Sequence, residues 1–72
     1  MKKSEAEDIQ TVTQGCIREL NMLLRVSRST LDEDEFGTLK SNVAQAMAKL
    51  IDIEEFSVYN QYPELRPYDI SG

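Results

Sequence analysis

The sequence predicts an all-α protein: an antiparallel two-helix hairpin with an extended C-terminal tail, dimerising into a four-helix bundle. Three observations point there. Apolar residues recur at helical spacing over two long stretches with a short polar break between them. The second stretch carries an apolar arc of about 180°, wider than one neighbouring helix covers. The third is length: 72 residues complete a core only marginally. One Cys excludes an intrachain disulfide, and one Cys with no His leaves no zinc ligand set. Association with a second copy remains. The chain reads as a single domain, 1–72, with helix 1 over 4–27, a turn at 28–30, helix 2 over 31–61 and a tail over 62–72.

The first helix is expected to start at Ser4, which forms a capping-box pattern with Glu7. Glu5, Glu7 and Asp8 suit the positive end of the helix dipole. At about 100° per residue, Ile9, Val12, Cys16, Ile17, Leu20, Leu23 and Leu24 share one arc, joined by Thr13 and Ser27. Arg18, Glu19, Asn21, Arg25 and Arg28 lie opposite. Met22 and Val26 fall off the apolar arc and are candidates for a second contact. Gly15 lies within the helix, at a cost of about 1 kcal/mol relative to Ala.

Arg28-Ser29 reads as the turn. Either Thr30 with Glu33 or Asp32 with Glu35 supplies a second capping box, and the acidic run 32–35 suits a first helical turn. So short a link forces an antiparallel hairpin. In helix 2, Leu39, Val43, Ala46, Leu50 and Ile53 form the flank expected to meet helix 1. Ala44, Met47, Ile51, Val58 and Tyr62 form the flank expected to meet a second hairpin, with Phe36 between the two. The residues expected to build the dimer or core face are Val12, Ile17, Leu24, Ala44, Met47, Ile51 and Val58. Tyr62-Pro63 should end the helix, because the residue before Pro is displaced from helical geometry.

Few residues suggest chemistry. Asp32-Glu33-Asp34-Glu35-Phe36-Gly37 resembles the start of a calcium loop, but Phe36 and Val43 occupy positions that need oxygen ligands. No metal or other cofactor is expected. Glu54 projects from the middle of the apolar arc, beside the expected first turn of helix 1, whose free N–H groups or Lys2 and Lys3 would compensate it. Cys16 is expected to be a buried structural thiol, since the chain has no His to activate it. Phe56, Tyr59 and Tyr62 form a candidate partner patch, with Phe56 and Tyr59 lying outside the arc. The chain's own tail, through Leu65, Tyr68 or Ile70, or a different protein would cover it.

Thirteen acidic against eight basic residues give a net charge of −5, which opposes nucleic acid and anionic membranes and favours a basic protein partner. No run of 18 apolar residues exists to span a membrane. The polar Ser4–Asp8 stretch stands where an export signal needs apolar residues, so a cytoplasmic location is expected. The pattern is one that many unrelated small bacterial proteins share. The expected function is a non-catalytic protein–protein interaction module: an adaptor, a chaperone, or an inhibitor of the immunity type. The alternatives are a dimeric nucleic-acid-linked regulator using the Arg18, Arg25 and Arg28 stripe, and a small enzyme built on Glu54.

Overall fold

Local capping decides where each helix begins. In the computed structural model, which describes residues 1–67, helix α1 spans Lys3–Ser27 and α2 spans Glu33–Ile53. The Glu5 carboxylate accepts the Lys2 backbone N–H at 2.6 Å, so the helix starts at Lys3. Ser4 therefore lies inside the first turn, and the expected Ser4–Glu7 box does not form. At α2 the box is complete. Asp32 Oδ1 accepts the Glu35 N–H at 2.8 Å, and Glu35 Oε1 accepts the Asp32 N–H at 3.2 Å. Of the two boxes the sequence allowed, Asp32–Glu35 is the one used. The link is a turn in which the N–H groups of Thr30 and Leu31 both reach the Ser27 carbonyl.

Helix α2 does not continue regularly to Gln61. From Glu54 to Tyr59 it widens into a π-helical turn, seen in the Asn60 N–H bonding to the Glu55 carbonyl five residues back at 3.1 Å. The chain then tightens, with Tyr62 N–H on the Val58 carbonyl at 2.8 Å. Pro63–Leu65 follows as a single 3₁₀ turn, so the described part of the tail is folded rather than extended.

The hairpin is antiparallel, and its seam is lined by small or polar residues on α1: Ala6, Thr13 and Ser27 are all buried. Their short side chains let α1 come close to Val43, Glu54 and Val58, also buried. Val58 is the one large side chain fully buried among the described residues. Its enclosure contributes about 1.5–3 kcal/mol. Ala6, Val58 and Tyr59 form the core cluster, with Ile9, Tyr62 and Leu65 packed on it. This cluster lies at the end of the hairpin where the chain begins. There the Tyr62 hydroxyl also donates to the Met1 carbonyl at 2.7 Å.

The seam takes Val43 from the flank expected to meet helix 1, Glu54 from the middle of the arc and Val58 from the other flank, so it is not confined to one flank. Both flanks therefore keep open residues. Ala46 and Ile53, expected against helix 1, are exposed, and so are Ala44 and Ile51 on the other side. No helix among the described residues is long and apolar enough to cross a membrane.

Candidate functional site

Two faces flank the seam, and they differ in chemistry. On one, α1 contributes Val12, Gly15, Cys16 and Leu20, and α2 contributes Ala46, Leu50 and Ile53. Together they line an open groove of about 750 Å³, with Arg18, Glu19 and Lys49 at its rim. Val12 is 67% exposed, and Leu23 and Val26 on α1 are exposed as well. Cys16 faces this groove and is exposed, which corrects the expectation of a buried thiol. Thr13 and Ser27 of the same arc, with Ala6 beside it, fill the seam, and Cys16 falls on the side of the arc turned to the groove.

On the opposite face Asn21, Arg25 and Arg28 of α1 stand beside Lys40 of α2 around Leu24 and Phe36. The Arg28 guanidinium lies 6.0 Å from the Phe36 ring centre. Of the expected arginine stripe, Arg25 and Arg28 gather here, whereas Arg18 reaches toward the groove.

A third arrangement closes the end with the π turn. Tyr59 Oη donates to Glu54 Oε2 at 3.2 Å, and Gln10 Nε2 reaches Tyr59 Oη at 3.1 Å and the Leu65 carbonyl at 2.6 Å. Arg66 binds Glu55 in two-pronged fashion at 2.6 and 3.0 Å, and its guanidinium stacks 5.1 Å from the Tyr59 ring centre. Glu54 is only 7% exposed. Its hydrogen-bond donor is Tyr59, not the N–H groups or lysines at the start of α1, and Lys3 pairs with Glu64 at 3.4 Å. Burial pushes the Tyr59 phenol above its ordinary value of 10.0, and the Glu54 carboxylate raises it further against the lowering effect of Gln10. Glu54 also borders a cleft of about 170 Å³ with Ile51, Glu55, Tyr59, Arg66 and Pro67.

The expected aromatic patch is thus divided. Phe56 is 69% exposed, Tyr59 is buried, and Tyr62 is half-buried in the core cluster. The cause is the π turn. On a regular helix Tyr59 would lie about 140° around from Glu54. The wider turn advances each residue less and swings Val58 and Tyr59 inward. Leu65 docks on the core as one candidate cover for the patch, but Phe56 stays open; Tyr68 and Ile70 lie outside the described residues. Of the expected dimer or core face, Val58 is interior, Ile17, Leu24 and Met47 are half-buried, and Val12, Ala44 and Ile51 are exposed.

Gln10 and Arg66 were not singled out from sequence. Gln10 follows Ala6 and precedes Thr13 at helical spacing, a small-and-polar row that marks the seam. No comparable signal marks Arg66. Among the described residues no group of three or more His, Cys, Asp or Glu side chains is placed to hold a metal ion. Comparison with family models, with curated proteins and with solved structures finds no match to this chain.

Proposed function

We propose that this chain is a non-catalytic protein–protein interaction module that works as a homodimeric four-helix bundle. The observation that carries the reading is the large apolar side chain left uncovered on both helices: Val12, Met22, Leu23 and Val26 of α1 and Ile53 of α2 are all exposed in the single chain. Exposed apolar helix surface of this kind supports binding by a helical partner face. Against a catalytic role for Glu54 stands its environment, a buried carboxyl engaged by Tyr59 beneath the tail. Adaptor, chaperone and inhibitor roles share this mechanism, in which a helix face holds, blocks or bridges a protein. With a net charge of −5, a basic partner is favoured for the outer surface. We place the work in the cytoplasm, where a free Cys16 stays reduced.

Sedimentation equilibrium from low to high micromolar concentration tests the dimer. The expected mass is twice the 8.2 kDa of the chain. A monomer throughout that range removes the reading.

The second reading, nucleic-acid binding, draws on Arg25, Arg28 and Lys40. They share one face, and no ion pair among the described residues uses them. It predicts affinity for single-stranded RNA that falls steeply with salt. No binding at low salt excludes it.

A further inference from the structure

The proposed dimer leaves open which face meets the second copy, and the structure distinguishes the two. We infer that the interface is the groove between Val12, Cys16 and Leu20 of α1 and Ala46, Leu50 and Ile53 of α2, covered by a second copy of this chain across a two-fold axis. This inference rests on the reading of the chain as a dimeric interaction module and assigns its surface.

The first argument is width. A four-helix bundle needs both helices of each hairpin to contribute to the shared core. The groove face meets that requirement, with apolar residues from α1 and α2 alike. The opposite face does not. There α2 offers Ala44 and Ile51, but its α1 side carries Asn21, Arg25 and Arg28. Cations in the middle of a bundle would be buried without partners.

The second argument is area and shape. The chain exposes 5442 Å². A compact monomer of 8.2 kDa exposes about 4500 Å². The Cα radius of gyration is 14.9 Å, against about 11 Å for a compact chain of this length. The molecule extends 44 × 27 × 15 Å. A slab that thin is a single layer of helices, and stable domains have two.

The third argument identifies the occupant as a second copy. The groove floor mixes small residues, Gly15, Cys16 and Ala46, with the larger Val12, Leu20 and Ile53, so the same surface supplies both hollows and projections. Its rim carries both charge signs, Glu19 beside Arg18 and Lys49, with no ion pair among them. A two-fold contact uses each feature twice, presenting the Glu19 of one copy to the cations of the other. The floor becomes the dry centre and the charges the rim.

The test combines sedimentation with three matched substitutions at exposed positions. Val12→Glu and Ile53→Glu should each weaken self-association by about a hundredfold or more, because each buries an unpaired carboxylate at the interface. Ile51→Glu, at a position 55% exposed on the other face, should leave it within about twofold. Circular dichroism of each variant at monomeric concentration checks that the hairpin persists. The native chain gives an independent readout. Cys16 should react with an alkylating reagent about tenfold more slowly at concentrations where the dimer forms than where it does not. Dissociation by Ile51→Glu alone, or a Cys16 rate independent of concentration in a confirmed dimer, overturns the groove assignment while leaving the dimer standing. A monomer at every concentration overturns both.

Discussion

At one end of the hairpin, Ala6, Val58 and Tyr59 lie under Leu65 and Arg66, and Gln10 ties the covering strand to the buried pair Tyr59 and Glu54. Along its middle, Val12, Cys16, Leu50 and Ile53 line an open groove that none of the described residues closes. Two helices alone cannot enclose a core, and the chain meets the shortage in two ways. Where its tail reaches, the tail serves as a third element and polar groups are satisfied internally. Where the tail does not reach, the surface stays apolar and mixed in charge at its edge. The first region has the composition of an interior that is complete. The second keeps large apolar side chains in contact with solvent.

That contrast can be broken from the closed side first. Val58→Asp places a charge at a fully buried position and should abolish cooperative folding, read as loss of helical circular dichroism at 25 °C. Tyr59→Phe keeps the ring but removes the hydroxyl that serves Glu54, leaving a buried acceptor unpaired. The expected loss is about 1–3 kcal/mol by urea titration, with the fold retained. A wild-type urea midpoint for this variant would show that water serves Glu54 instead.

The raised Tyr59 phenol adds a pH signature. Its folded-state value exceeds the unfolded one, so the folded state holds the proton more tightly. That stability is fully present below pH 10 and is lost as pH rises through the folded value. Thermal unfolding should therefore soften in strong base, and Tyr59→Phe should flatten the decline. The smallest expected effect is Arg66→Ala. Its pair with Glu55 is two-pronged but about a third exposed, so solvent screening holds the loss to about 0.5–1 kcal/mol. Amide exchange should quicken in residues 63–66 without a change along α1. If α1 exchange quickened equally, the two regions would unfold as one unit.

Much of the hairpin was legible because its signals are local. The Asp32–Glu35 box and the polar break before it lie within one turn, and hydrogen bonds of that range do not depend on the rest of the fold. The position of the seam was less legible. Large apolar side chains dominate a helical wheel, yet α1 is drawn closest at Ala6, Thr13 and Ser27, where little side chain stands in the way. Cys16 was misplaced for the same reason. The Phe56–Tyr59 pairing failed because it assumed one angular step throughout, and the π turn changes that step between Glu54 and Tyr59. Gln10 needed knowledge of where the tail returns, more than fifty residues away in sequence.

The widened turn can also be viewed as a reading-frame insertion. A helix that spends one residue more than usual on a turn is an ordinary helix with an extra letter in it. The exposed Phe56 is the letter that fits, since it contributes nothing to the core. With Phe56 deleted, a regular helix would set Val58 about 60° to one side of Glu54 and Tyr59 about 40° to the other, near where the π turn now holds them. The present shape therefore stores a phase shift of a single residue, which one deletion would cancel, leaving the closed end intact and the helix unbroken.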